Sequence, residues 1–273
     1  METKVITEKQ NLKYLQWSHS RKSSGTAGTF LKSQEIIDGK KYYYKLSNFD
    51  TEKGVIGHEC VNEIIVDRLL TILGVDHLHY QLVHADIEIY GKTYETWLSV
   101  SEDFKDSKEK KAALDDFLLI NSPASVNRYE ACKEFGWEKY IDTMIAVDYL
   151  IMNRDRHGAN IEVLSNPRQR TIRIAPLFDH GRSFLYSCTN DEEIAAFDIR
   201  QDRPCQNFIG SKSTLENLSL IKDKGFLFEG RLTEDSRDVL FKDLDGILSK
   251  EHLDKIWDSL FTRYKYYESI CNS

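Results

Sequence analysis

The sequence predicts an α+β chain in two lobes: a small β-rich lobe over residues 21–100 and a larger, mostly helical one over residues 101–273. Three observations carry that expectation. An Asp-Gly turn at Asp38–Gly39 separates two short runs of strand texture. At His58 the apolar period changes from two to that of a helix, then reverts at Gln81. From about Phe104 onward nearly every apolar residue falls at helical spacing.

Residues 1–20 read as a polar lead-in with one apolar cluster at Tyr14, Leu15 and Trp17. The Gly/Ser/Thr run Ser23–Thr29 follows, and Thr29–Ile37 and Lys41–Leu46 then read as paired strands. In His58–Leu73 the residues Val61, Ile64, Ile65, Leu69, Ile72 and Leu73 form the apolar face of a helix that Gly74 ends. Gln81–Val100 alternates apolar and polar residues around Tyr90–Gly91, which completes a small antiparallel sheet with one helix on it. Past the charged stretch Ser107–Lys111, helices are expected at about 111–120, 125–136 and 137–153. In the last of these Trp137, Ile141, Met144, Ile145 and Ile151 make a buried stripe. Ile161–Leu164 and Thr171–Ile174 read as short strands, His180–Phe208 as irregular, and the stretch ending in Trp257, Leu260, Phe261, Tyr264 and Tyr267 as amphipathic helix.

Of the 273 residues, 41% are hydrophobic and 30% charged, with 14 Gly and 4 Pro, so disordered and collagen-like classes are excluded. A net charge of −7 argues against a global nucleic-acid-binding field, and direct nucleic-acid binding is not expected. Neither a secretory signal nor a membrane-spanning run is expected, and no membrane partner with them. Five scattered cysteines (Cys60, Cys132, Cys188, Cys205, Cys271) lack the spacing of a disulfide or zinc framework and favour a reducing, cytoplasmic setting. His77 and His79 would share one face of a strand; a strand-edge or turn position is favoured over a metal site.

The residues that carry chemistry stand in a telling order. Gly25 and Gly28 let backbone N–H groups approach phosphate oxygens, with Thr26 between them. Lys45 lies within a short apolar strand, where its ammonium would meet the phosphates and pair with Glu63 or, one turn earlier, Glu59. Asp155 and Asn160 stand five apart in Asn153-Arg-Asp-Arg-His-Gly-Ala-Asn160, a spacing suited to one hydroxyl-proton acceptor and one metal ligand. Asp179, beyond the next hairpin, supplies a carboxylate of the kind Mg²⁺ prefers. Together these match the parts list for phosphoryl transfer from ATP.

Asn153–Asn160 followed by Ala175-Pro-Leu-Phe-Asp179, with Tyr44-Lys-Leu46, Asn62-Glu63 and Leu73-Gly74 upstream, resembles the HipA-like serine/threonine kinases over residues 21–270. The resemblance implies a two-lobed protein-kinase-like fold with ATP and Mg²⁺ as cofactors. It implies Asp155 as the catalytic aspartate, Asn160 and Asp179 as Mg²⁺ ligands, Lys45 as the ATP lysine and His157 as a loop-holding residue. Glu95–Ser101, including Ser99, would fall at the adenine-binding hinge, and His180–Phe208 with Arg182, Arg200 and Arg203 at an activation-type loop. Only about 20 residues precede the Gly loop, which is similar to the compact HipT-like or CtkA-like members. By the same likeness, Ser23, Ser24 and Thr26 are candidates for inhibitory autophosphorylation. The substrate would be a protein Ser/Thr hydroxyl, with an antitoxin or N-subdomain-like protein as a further partner. The setting would be a bacterial cytoplasm, or that of a secreted effector. Two other readings stay open: a phosphoinositide-type lipid kinase, whose D-R-H-x-x-N run Asp155–Asn160 echoes, and a catalytically silent nucleotide-binding module. Transfer of AMP in place of phosphate is a third.

Overall fold

A computed structural model describes residues 2–19 and 30–272. Ser23, Ser24, Gly25, Thr26 and Gly28, expected to form the phosphate-binding loop, therefore lie outside the described residues. The N-terminal part is a six-stranded sheet of β1 (Lys4–Asn11), β2 (Ser18–His19), β3 (Leu31–Ile37), β4 (Lys40–Leu46), β7 (Tyr80–Ile89) and β8 (Lys92–Glu102), in the order β1-β7-β8-β4-β3-β2. The small hairpin β5 (Phe49–Asp50) and β6 (Gly54–Val55) stands beside it. Two tight turns set the register. Asp38 and Gly39 have φ of 50° and 79°, and Tyr90 and Gly91 have 51° and 77°. Positive φ at both central residues gives a turn whose twist suits a hairpin.

Alternation along the strands splits the apolar residues between two cores. Tyr44, Leu46, Val83, Leu98 and Val100 face one side, where Leu15 and Leu31 join them. Leu82 faces the other, against helix α1 (Glu59–Leu73). That helix is buried nearly all round, as a helix wedged between a sheet and a second layer must be. Gly74, with φ 71°, caps it by donating its N–H to Leu70 and Thr71 carbonyls.

The C-terminal part is mostly helical: α2 (Leu114–Asn121), α3 (Arg128–Glu134), α4 (Glu138–Leu150), α5 (Asp191–Ala196), α6 (Thr214–Asn217), α7 (Ser236–Phe241) and α8 (Lys250–Cys271). A sheet of β9 (Lys110–Ala113), β11 (Glu162–Asn166) and β12 (Thr171–Ile174) lies among them in the order β12-β11-β9. The short strands β10 (Asp155–Arg156) and β13 (Gln206–Asn207) pair in parallel. Trp137, Ile141, Met144, Ile145 and Ile151 are all buried in the core that α1, α4 and α8 share. No helix among the described residues is long and apolar enough to cross a membrane.

Three expectations need correction. The lead-in is not featureless: Lys4–Asn11 adds a strand parallel to β7, which makes the sheet mixed rather than antiparallel. Its polar residues suit an edge strand with one solvated face, a pattern that carries little periodic signal. The helix expected from about residue 111 begins at Leu114, and residues 110–113 are a strand paired with β11. Within the irregular stretch after His180, Asp191–Ala196 forms a short helix whose Asn190 side chain caps the Glu193 N–H.

Candidate active site

Strand register brings the first cation into place. Lys45 stands between Lys32 of β3 and Ser99 of β8, on the sheet face that α1 covers. Its Nζ lies 2.9 Å from Glu63 Oε1 and 2.6 Å from Asp179 Oδ1. Glu59, one turn before Glu63, takes a different task and accepts the Asn48 N–H at 3.1 Å. Glu63 is thus the partner of Lys45, and its other oxygen accepts the His180 N–H at 2.9 Å.

Asp179 sits at φ 60°, a left-handed conformation uncommon for a residue with a β-carbon. Several contacts hold it there. Its N–H donates to the Tyr80 hydroxyl at 3.2 Å. Asn62 of α1 donates to the Gly181 and Ser183 carbonyls at 2.9 and 3.0 Å. Gly181 itself packs so closely on α1 that a β-carbon there would lie 3.0 Å from that of Glu59.

Burial and charge divide the two carboxyls. Burial would raise both, but the Lys45 and Lys32 ammonium groups hold Asp179 well below the usual carboxylate range. For Glu63, burial outweighs the pull of Lys45, and the neighbouring Asp179 charge adds to it, so its carboxyl lies above its ordinary value. Lys45 stays charged: burial works against it, and the two carboxylates outweigh burial.

The second group of candidate residues lies in the loop Asn153–Asn160. Asp155 belongs to β10, and its N–H donates to Asn153 Oδ1 at 3.1 Å. The Asp155 carboxylate lies 3.4 Å from the Arg182 guanidinium and 3.8 Å from His157 Nε2. His157 Nδ1 accepts the Ala159 N–H at 3.2 Å, which ties the turn together. Asn160 donates from Nδ2 to the Asp155 carbonyl at 2.7 Å. A carbonyl only accepts, so the amide nitrogen faces it and Oδ1 is left to face elsewhere.

Two residues complete the site without having been expected there. Lys32 is a second lysine on the Lys45 face, where burial lowers its pKa and the Asp179 charge partly restores it. Arg156 is 1% exposed; it pairs with Asp148 at 2.9 Å and donates to the Asn160 and Phe178 carbonyls at 3.2 and 2.9 Å. It therefore ties the Asp155 loop to the segment that carries Asp179. The signal for it was Asp148, the one carboxylate within the apolar run Ile145–Met152, since a buried charge requires a partner.

Ser99 is buried in mid-strand, and Glu95 stands opposite Asp86 toward the other end of β8, roughly 20 Å from Ser101 at the rise of a strand. The chain leaves the sheet after Glu102, so the crossing between lobes is residues 103–109, where Phe104 meets Phe178 at 5.4 Å between ring centroids. Of the three loop arginines, Arg182 reaches Asp155, whereas Arg203 lies over the Phe197 ring at 4.2 Å.

A β-rich lobe that presents a lysine to a helix glutamate, over a helical lobe that carries the aspartates, is the two-lobed architecture of kinases. Among solved structures the chain is similar to the crystal structure of CtkA, a Helicobacter pylori proinflammatory kinase, with a TM-score of 0.59 and 16% identity over 88% of this chain and 94% of that one. At that identity the likeness is one of fold. No protein-family profile matches the chain. No curated protein sequence matches it.

The donor set suits a magnesium–nucleotide complex. The Asp179 carboxylate and the Asn160 amide oxygen are hard oxygen donors of the kind Mg²⁺ takes, and Lys45 and Lys32 place two cations on one sheet face, the charge that phosphate oxygens require.

Proposed function

We propose that the chain is an ATP-dependent serine/threonine protein kinase of the HipA-like type. The observation that carries this reading is the Lys45–Glu63–Asp179 cluster, with the Asp155–Asn160 loop tied by Arg156 to the segment that carries Asp179. Its support is the chemistry of these groups together with the kinase fold.

Asn160 and Asp179 would hold Mg²⁺, which supplies charge neutralisation at the phosphates when bound. Lys45, fixed in place by Glu63, would orient the phosphate chain, and Lys32 would add a second contact. Asp155 would accept the hydrogen bond of an incoming protein hydroxyl and align it with the γ-phosphorus. The Asp155 carboxylate is kept in position by Arg182 and by the Asn153 cap on its own N–H. In the transfer, the hydroxyl oxygen bonds to the γ-phosphorus as the bond to the β–γ bridging oxygen breaks. The hydroxyl proton passes to Asp155, and ADP leaves with the bridging electrons. Rate then arises mainly from positioning and from charges already in place.

The same reading makes Ser23, Ser24 and Thr26 candidates for autophosphorylation, and a protein Ser/Thr side chain the acceptor in trans. A role as the toxin of a toxin–antitoxin pair belongs to this proposal as well.

Mass spectrometry after incubation with Mg·ATP, run beside Asp155→Asn, tests it. Phosphoryl mass gains on the chain or on an added protein substrate are expected from the wild type. Asp155→Asn should lose them by about 100-fold or more while it keeps its fold. A gain matching AMP, or equal gains in both proteins, would overturn the assignment.

A further inference from the structure

Asp67, His77 and His79 form a cluster that phosphoryl transfer does not use. Asp67 lies on α1, and the turn after Gly74 brings the two histidines back against it. The three ligand atoms, one from each residue, lie within 4.8 Å of one another. His77 Nε2 is 2.8 Å and His79 Nδ1 3.0 Å from the same oxygen, Asp67 Oδ1. The rings meet edge to face at 4.6 Å between centroids.

At His77 both ring nitrogens meet acceptors. Its Nδ1 lies 2.6 Å from the Val75 carbonyl, which only accepts, so Nδ1 carries a proton. Nε2 meets a carboxylate oxygen at 2.8 Å. A positive charge belongs between those last two atoms, either a second ring proton or a metal ion. A second imidazole aimed at the same oxygen makes the place a convergence of three ligands.

We propose that Asp67, His77 and His79 bind a divalent transition metal of the Zn²⁺ class, with water completing a tetrahedral shell. Ligand atoms of such a site stand about 3.3 Å apart at metal–nitrogen distances of about 2.0–2.1 Å. The two short pairs therefore need to open by only a few tenths of an ångström. Supporting contacts of the usual kind are already present: His77 Nδ1 on the Val75 carbonyl, and Asp67 Oδ2 accepting from the Tyr80 N–H at 2.6 Å and the Thr3 hydroxyl at 2.8 Å. The Asp67 and His77 side chains are enclosed, while the His79 side chain is 44% exposed and gives a metal its way in.

The position has a consequence for the site described above. Leu78 donates its N–H to the Leu177 carbonyl at 2.8 Å, and Tyr80 holds the Asp179 N–H through its hydroxyl. A metal here would stiffen the segment from which Asp179 hangs.

The test uses the full chain, stripped with a chelator and titrated calorimetrically with Zn²⁺ alone, no nucleotide present. One equivalent should bind and raise the melting temperature, and Co²⁺ in its place should give the visible absorption of a tetrahedral ion. Asp179→Asn should bind Zn²⁺ as the wild type does, which separates this site from the magnesium ligands. His79→Ala, at a half-exposed position that leaves the fold intact, should weaken binding at least ~10-fold. Asp67→Asn should abolish it. Failure of the folded wild type to take up one equivalent, as a doubly protonated His77 would cause, overturns the proposal. So does uptake that His79→Ala leaves unchanged.

Discussion

Replacing Lys45 with Met keeps the length of the side chain and removes the ammonium that Glu63 and Asp179 both accept. The three side chains are 15%, 2% and 21% exposed, so water offers little compensation. Taking one partner from a buried ion pair costs about 3–5 kcal/mol. The lower end, about 3 kcal/mol, is expected here, because a proton on Glu63 can relieve the two carboxylates left facing each other. Its carboxyl is already raised by burial and by Asp179, and loss of Lys45 raises it further. A folded carboxyl above its unfolded value of about 4.3 binds a proton that the unfolded chain releases. Stability then falls as pH rises between the two values, by about 1.4 kcal/mol per unit. Lys45→Met should therefore cost more at pH 8 than at pH 5, by about 1.4 kcal/mol for each unit by which loss of Lys45 raises the Glu63 carboxyl within that range. Urea unfolding of both proteins at the two pH values measures this, and adding Glu63→Gln to Lys45→Met should remove the pH dependence. A cost that is equal at both pH values and indifferent to Glu63→Gln would refute the reasoning.

Two further predictions rest on neighbouring groups. Lys32→Met should weaken Mg·ATP binding by about 10–100-fold, the value of a hydrogen bond to a charged group, without lowering the urea midpoint; calorimetry showing unchanged affinity would remove Lys32 from the phosphate site. His58 and His252 meet edge to face at 4.4 Å, and burial lowers their pKa values to about 3 and about 4. The His252 charge lowers His58 further, and Asp191 partly offsets the shift of His252. Both folded values lie below the unfolded value of about 6.5, so this contribution is complete above pH 6.5 and is lost progressively as pH falls from there to the folded values. At pH 5 the loss is about 2 kcal/mol for each ring. His58→Phe/His252→Phe should flatten the stability profile between pH 7.5 and pH 5; an equal loss in both proteins would count against the pair.

Much of the architecture was legible in the chain itself. The turns at Asp38–Gly39 and Tyr90–Gly91, the helix that Gly74 ends and the buried face of α4 all follow from rules a few residues long. The residues of the proposed phosphate site were read in the same way, since Lys45, Glu63, Asp155, Asn160 and Asp179 stand in order on elements that local pattern identifies.

What tertiary structure decided concerns groups with no local signature. Lys4–Asn11 is a strand because β7 offers it an open edge, a partner that its own polar sequence does not announce. Glu63 prevails over Glu59 because the packing of α1 on the sheet sets Glu63 against Lys45 and Glu59 against the Asn48 N–H, a choice that spacing along the helix does not make. Lys32 faces Lys45 through strand register, and a slip of one residue would have turned it to the opposite face. Arg156 looks like one more loop arginine until Asp148 closes on it in the core. Likewise His77 and His79 form an unremarkable pair until the turn after α1 sets both against Asp67. Periodicity and turn chemistry act between near neighbours and can be read along the chain. A buried charge is defined by its partner, and here the partners lie on other elements, brought together only by the packing of one layer against the next.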